Sequence, residues 1–137
     1  MFNYNEKVLE AFAHPKNVGA IENPDGDGMV GNATCGDIMR ITLRIENDVI
    51  TDAKFQTFGC TAAIATSSTA TEMVKGMTIE EALKLTNAKV VEELEGLPPQ
   101  KLHCSVLAEE AIKKAIENYL DKKQGKVADP NAEPEYV

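Results

Sequence analysis

Residues 38–57 carry the pattern that most limits what this chain can fold into. Over residues 38–45 apolar and polar side chains alternate, which is typical of a strand with one buried face and one wet face. The apolar members of the alternation are Met39, Ile41, Leu43 and Ile45. A turn at residues 46–48 and a β-rich run at residues 49–57 predict that the chain returns as an antiparallel neighbour.

After Gly59 the periodicity changes from that of strands to that of helices. A shorter strand at residues 29–33 would complete a three-stranded antiparallel meander. Apolar stripes and capping signals predict helices at residues 5–13, 61–75, 78–85, 87–94 and 102–120. The chain is therefore predicted to be α+β, with a three-stranded antiparallel sheet packed against helices and a long C-terminal helix.

The length and composition indicate one domain. The chain has 137 residues, of which 43% are hydrophobic and 26% are charged, enough to form one core. We expect the domain to span residues 1–121. Residues 122–137 are polar, contain Gly125, Pro130 and Pro134, and are predicted to form a disordered tail.

The net charge of −8 disfavours non-specific binding to nucleic acid or to an anionic membrane. No apolar run approaches the roughly 20 residues that a membrane span needs, and residues 1–6 lack the pattern of a signal peptide. A cytoplasmic location is the resulting expectation.

Three cysteines, Cys35, Cys60 and Cys104, lie in three separate segments. An odd number without an export signal argues against a disulfide framework. Their separations exceed those of a local zinc-binding pair, so a shared site would have to be formed by the tertiary fold. Each cysteine alone is equally compatible with an inert place in the core.

Cys104 follows His103 at the predicted start of the long helix. Pro98 and Pro99 precede that start, where the missing amide hydrogen of proline does no harm. The partial positive charge of a helix N-terminus favours a thiolate, so Cys104 is a candidate ligand or nucleophile.

Each of the three cysteines lies at the predicted end of an element, where sites are usually built on a rigid scaffold. Gly36 and Gly59 adjoin two of them, and Asp37 lies two residues after Cys35. Converging these segments would bring together three thiols, the His103 imidazole and the Asp37 carboxylate. Thiolates select zinc, copper(I) or iron–sulfur centres.

Two other groups of polar residues have simpler interpretations. His14 at the end of the first helix is interpreted as a structural or surface residue, because the helix dipole explains it. Asp25 and Asp27 alternate as in a calcium loop, but no glutamate completes the pattern. Residues 17–28 are therefore interpreted as a solvated loop.

Four stretches of this chain resemble the iron–sulfur cluster assembly scaffold proteins of the IscU/NifU type. They are Cys35-Gly36-Asp37, residues 52–60 (DAKFQTFGC), residues 97–105 (LPPQKLHCS) and residues 14–19 (HPKNVG). The resemblance runs from about residue 4 to residue 120, in order and with the family's spacing. The further domains of full-length NifU are absent, so the chain resembles the stand-alone scaffold.

The resemblance implies a three-stranded sheet packed on helices with a solvent-accessible site at one end. Cys35, Cys60 and Cys104 would hold a transient 2Fe-2S cluster, with Asp37 or His103 as the fourth ligand, and zinc could occupy the same site. The implied partners are a cysteine desulfurase that supplies sulfur as a persulfide, an iron donor, and the acceptor apo-proteins. The resemblance also allows a homo-oligomer with the cluster bound, and it implies a scaffold rather than an enzyme.

Pro98, Pro99 and Lys101 lie in the segment where the family has a docking motif for an Hsp70-type chaperone. Gln100 stands where valine is usual in that motif. The positive charge of Lys101 would also favour thiolates nearby. It is equally compatible with a solvated helix start.

Three alternatives remain open from the residues. One is a zinc-dependent sulfurtransferase of the SufU type, although the insertion expected between Cys60 and Cys104 is missing. Another is a zinc hydrolase, which would need a general base and a substrate pocket that the sequence does not reveal. The last is a purely structural zinc site, which is normally formed by closely spaced ligands.

Overall fold

The computed structural model describes residues 4–31, 36–59, 61–97, 102–123 and 135–136, with residues 102–105 and 135–136 described by their backbone alone. The helices are α1 (Glu6–Ala13), α2 (Thr61–Val74), α3 (Ile79–Leu83), α4 (Asn87–Glu93) and α5 (Leu102–Lys123). The strands are β1 (Gly26–Gly31), β2 (Ile38–Glu46), β3 (Val49–Phe58) and β4 (Glu135–Tyr136). The predicted α+β class is confirmed, and most predicted bounds lie within two residues of those observed.

The predicted antiparallel sheet of β1, β2 and β3 is confirmed, with β2 in the middle. The apolar members of the alternation on β2 are buried, as expected for the face that meets the helices. Asn47 and Asp48 both have positive φ, of 52° and 60°, which matches the two-residue hairpin turn favoured by the twist of the strands.

Two features of the sheet differ from the expectation. Gly26 and Gly28 belong to β1, although residues 17–28 are predicted as a loop. The short strand β4 adds a fourth member, parallel to β1, through the pairs Val30↔Glu135 and Gly31↔Tyr136.

Helix α5 continues to Lys123, so the structure differs here from the expected tail at residues 122–137. Residues 124–134 and 137 of that tail lie outside the described residues.

The backbone of α5 lies directly against β1. A Cβ atom on Gly28 would be 2.4 Å from the Ala115 nitrogen and 2.5 Å from the Ala111 oxygen, and one on Gly26 would be 2.4 Å from the Ala115 oxygen. Real Cβ atoms do not approach backbone this closely, so these two strand positions accept only glycine. Because Gly26 faces Ala115 and Tyr119 while Gly28 faces Ala111, α5 runs antiparallel to β1.

Helix α2 packs on the same face of the sheet as α5, where its Ser67 hydroxyl contacts the sulfur of Met39. Its buried residues are small: Ala62, Ala63, Ala65, Thr66, Ser67, Ser68, Ala70, Thr71 and Val74. The Thr66, Ser67 and Thr71 hydroxyls each donate to the carbonyl four residues earlier, at 2.7, 2.6 and 2.7 Å. These bonds satisfy polar groups that would otherwise be costly to bury.

Side chains hold the ends of the helices in place. Asn5 caps α1 by accepting from the Val8 N–H, and its Nδ2 donates to the Leu94 carbonyl at 2.8 Å and to the Gly96 carbonyl at 3.2 Å. One side chain therefore fixes both the start of α1 and the segment that follows α4.

The far end of α5 is joined to the β2–β3 turn. The Tyr119 hydroxyl donates to Asp48 Oδ1 at 3.0 Å, and Lys123 lies 3.3 Å from the same oxygen. The hydrogen bond from Tyr119 and the charge of Lys123 lower the pKa of the Asp48 carboxyl.

Among the described residues, no helix has the length and apolar character that crossing a bilayer requires.

We expect Gly28→Ala to lower the free energy of unfolding by about 3 kcal/mol or more, because the new methyl group would overlap the backbone of α5. Urea denaturation followed by circular dichroism measures this. Met29→Ala is the control, since the Met29 side chain is 37% exposed and should change stability by only about 1 kcal/mol. A Gly28→Ala protein as stable as the control would contradict the backbone contact.

Candidate functional site

The start of β2 and the end of β3 meet at one end of the sheet. Ile38 pairs with Phe58, so Asp37 and Gly59 follow directly beyond the last pair of the ladder. The Asp37 Oδ2 atom lies 3.2 Å from the position that a Cβ of Gly59 would occupy. The residue before β2 and the residue after β3 are therefore neighbours in space.

The Asp37 carboxylate is buried, with 8% of the residue exposed. Its Oδ2 atom has no hydrogen-bond partner among the described residues. An unpaired buried polar atom costs about 1–3 kcal/mol, and more when it is charged. Such an atom in a native structure calls for an explanation, and a bound ion or water is one that chemistry offers.

Thr57 holds this end of the two strands together. Its hydroxyl donates to the Ile38 carbonyl at 2.7 Å, across the last part of the ladder. The same Oγ1 atom also lies 3.2 Å from the position of a Cβ on Gly59. Sequence reasoning did not identify Thr57, because a threonine near the end of a β-rich segment carries no signal of its own.

Gly36 has a φ of +74°, a backbone conformation that glycine adopts without strain. This left-handed conformation directly precedes Asp37, after which the regular pairing of β2 begins.

Helix α5 begins at the same end of the sheet. Because α5 runs antiparallel to β1, its first turn lies toward the end at which β1 stops and β2 starts. His103 and Cys104 belong to that first turn, as predicted. Leu107 and Ala108, one turn later, are completely buried and anchor this end of the helix in the core.

The remaining predicted site residues, Cys35, Cys60, Pro98, Pro99 and Lys101, lie outside the described residues. Within the described part of the chain, no group of three His, Cys, Asp or Glu side chains could hold a metal ion. The predicted ligand set of Cys35, Asp37, Cys60, His103 and Cys104 therefore stays a prediction. Asp37 is the one member whose side-chain surroundings are described.

His14 has the surface position predicted for it, whereas Asp25 and Asp27 differ from the predicted solvated loop, because Asp27 belongs to β1 and both carboxylates form ion pairs. His14 is exposed at the end of α1, where its backbone N–H donates to the Glu10 carbonyl at 2.9 Å. Asp25 and Asp27 form ion pairs with Arg44 at 3.3 Å and Arg40 at 2.7 Å. The hydrogen bond from Arg40 to Asp27 raises the pKa of the Arg40 guanidinium.

The fold resembles that of a crystal structure described as a nitrogen-fixing NifU-like protein (N-terminal) from Brucella abortus. The TM-score is 0.72 at 20% identity, over 86% of this chain and 94% of that chain. This likeness shows the fold alone. The family model described as the NifU-like N terminal domain matches residues 3–126, so the chain belongs to the NifU-like N-terminal domain family.

Three relatives carry informative names. "Iron-sulfur cluster assembly scaffold protein IscU 1" of Archaeoglobus fulgidus is 57% identical over 124 residues, covering 90% of this chain and 80% of that protein. The scaffold protein IscU of Escherichia coli K12 is 48% identical over 127 residues, covering 90% and 98%. A Drosophila melanogaster relative named "Iron-sulfur cluster assembly enzyme IscU" is 53% identical, covering 91% and 83%. The resemblance stated from the motifs is confirmed.

We expect Asp37→Ala to raise the free energy of unfolding of the metal-free protein by about 1–3 kcal/mol, because it removes a buried oxygen without a partner. Urea denaturation in the presence of a chelator measures this. Glu46→Ala removes an exposed carboxylate at the other end of β2 and should change stability by less than about 0.5 kcal/mol. A loss of stability in Asp37→Ala would show that the carboxylate is well paired.

Proposed function

We propose that this chain is a scaffold on which iron–sulfur clusters are assembled. It receives sulfur from a cysteine desulfurase and iron from a donor, builds a transient 2Fe-2S cluster, and transfers the cluster to acceptor proteins. The observation that supports this most directly is the buried Oδ2 atom of Asp37, which has no hydrogen-bond partner among the described residues and lies beside Gly59, the residue bonded to Cys60. It occurs in a chain that is 48–57% identical to proteins named as IscU scaffolds.

The donor set suits a cluster that is held and then released. A resident ferredoxin-type cluster is held by four thiolates, whereas this chain has only Cys35, Cys60 and Cys104. The fourth donor in our proposal is the hard Asp37 carboxylate or the His103 imidazole. A carboxylate is a poor match for a soft iron–sulfur core, so it favours release. The same donors would also bind zinc.

The proposed chemistry is the transfer of two sulfur atoms, one at a time, followed by cluster assembly. In each transfer a site thiolate attacks the outer sulfur of the desulfurase persulfide, the donor's S–S bond breaks, and the donor leaves as a thiolate. Conversion of each transferred sulfur to sulfide takes two electrons from an external reductant, such as two thiols that are oxidised to a disulfide. The chain turns over no small substrate in this scheme and is a scaffold rather than an enzyme.

Among the described residues, those at the end of β3 are exposed to solvent. Gly59 is exposed, and Phe58 beside it is 83% exposed although it is large and apolar. Partners can therefore reach this end of the sheet. We propose a desulfurase, an iron donor and acceptor apo-proteins as the partners, with an Hsp70-type chaperone at Pro98, Pro99 and Lys101. A homo-oligomer with the cluster bound and a cytoplasmic location belong to the same proposal.

Anaerobic reconstitution with iron, cysteine, a desulfurase and dithiothreitol tests the function. We expect visible absorption from sulfide-to-iron charge transfer, which Cys35→Ser, Cys60→Ser and Cys104→Ser each abolish or reduce several-fold, because a hydroxyl is a poorer ligand for iron. Ser67→Ala is a control on α2, where a buried hydroxyl bonds its own helix. Its spectrum should match that of the unsubstituted protein.

The same experiment distinguishes the scaffold from a second candidate function. A colourless protein that keeps zinc and stimulates desulfurase turnover would favour a SufU-type sulfurtransferase. The high identity to proteins named IscU favours the scaffold.

We expect Asp37→Ala to slow cluster transfer to an apo-ferredoxin, because the weak oxygen donor that eases release is lost. The rate is followed by the circular dichroism of the acceptor's cluster. Glu46→Ala, at the opposite end of β2, should transfer at the rate of the unsubstituted protein. Equal transfer rates in Asp37→Ala and Glu46→Ala would reject this role.

A further inference from the structure

Two oxygen atoms face the space that a side chain on Gly59 would fill. Asp37 Oδ2 and Thr57 Oγ1 each lie 3.2 Å from the ideal Cβ position, and the Ala63 Cβ lies 2.7 Å from it. The hydroxyl of Thr57 is already used, since it donates to the Ile38 carbonyl. The carboxylate oxygen thus occupies a space bounded by a hydroxyl, a methyl group and the bare Cα of Gly59.

The backbone does not explain why residue 59 is glycine. The described glycines with positive φ are Gly19, Gly36, Gly76 and Gly96, and Gly59 is not among them. An L residue could therefore adopt its backbone conformation without strain. A side chain at residue 59 is disfavoured because neighbouring atoms lie too close to the position of its Cβ.

We infer that Gly59 is a positioning residue for Asp37. The missing side chain leaves room for the carboxylate beside the peptide that carries Cys60, and this room governs how readily Asp37 moves to and from the cargo. A methyl group at residue 59 would press on Oδ2 at 3.2 Å, closer than an ordinary contact. The inference rests on the proposed scaffold function.

The simpler explanation is that Gly59 only avoids Ala63. At 2.7 Å the contact between the two Cβ atoms would force something to shift, and Gly59→Ala alone could lose stability for that reason. Ala63→Gly removes this contact and leaves the contact with Asp37. The double variant Gly59→Ala/Ala63→Gly therefore tests the space around the carboxylate, and Ala63→Gly alone is its matched control.

Cluster transfer to an apo-ferredoxin is measured for Ala63→Gly, for the double variant, and for both in an Asp37→Ala background. We expect the double variant to transfer at least twofold more slowly than Ala63→Gly, with no difference between them once Asp37 is alanine. Equal rates with Asp37 present, or the same slowing without it, would overturn the inference, since the methyl group would then act independently of the carboxylate.

A second readout needs no cluster. The ¹³C signal of the Asp37 carboxyl in the metal-free protein should move between Ala63→Gly and the double variant, and should be the same in Ala63→Gly and the unsubstituted protein. An unmoved signal in the double variant would overturn the inference while cluster assembly by the unsubstituted protein leaves the scaffold function intact. Failure of the unsubstituted protein to assemble a cluster would overturn the scaffold function and this inference together.

Discussion

The contact of the α5 backbone with β1 is the constraint on which the rest of the architecture depends. Gly26 and Gly28 remove the side chains that would otherwise separate the helix from the strand, so carbonyl and amide groups of Ala111 and Ala115 lie against the sheet. Because the contact spans two strand positions on one face, it fixes the direction of α5 as well as its distance. The first turn of α5 is thereby directed to the end of the sheet where β2 begins.

At that end of the sheet another glycine, Gly59, makes room for side chains. At Gly26 and Gly28 the absent side chain admits the backbone of α5, whereas at Gly59 it leaves room beside Ala63 of α2 and, in our inference, for the Asp37 carboxylate. Thr57 joins the two strands at the same point through its bond to the Ile38 carbonyl, next to Asp37. The buried oxygen lies beside Gly59, which is exposed at the surface of the fold.

The regular elements could be predicted from the sequence because one face of each is buried. The alternation on β2 and the apolar stripe of α5 reflect burial that the structure shows at Met39, Ile41, Ile112 and Ile116. The start of β1 could not be predicted, because Gly26 and Gly28 are glycines for a reason that involves α5, and a glycine-rich segment ordinarily indicates a turn. Strand β4 follows a polar segment and has too few residues to show any periodicity.

The proposed site residues also divide into those that a local sequence pattern indicates and those that depend on tertiary contacts. Asp37 could be identified because it lies two residues from a cysteine, and His103 and Cys104 because they open a long helix. Thr57 could not, since its importance comes from a tertiary bond to Ile38. Nor does the sequence reveal that the Oδ2 atom of Asp37 is buried without a partner among the described residues, because burial of a polar atom depends on packing that no local pattern encodes.

In the proposed function, the unpaired Oδ2 atom of Asp37 links stability to cluster release. A buried oxygen without a partner makes the empty protein less stable than it could be, and a cation bound there would restore part of the lost free energy. As the proposed fourth ligand, the same oxygen would bind a soft iron–sulfur core only weakly, so the bound state would be not much more stable than the empty one. A donor that is poorly satisfied in both states would keep their free energies close, and a scaffold that loads and unloads the same cargo requires such a balance.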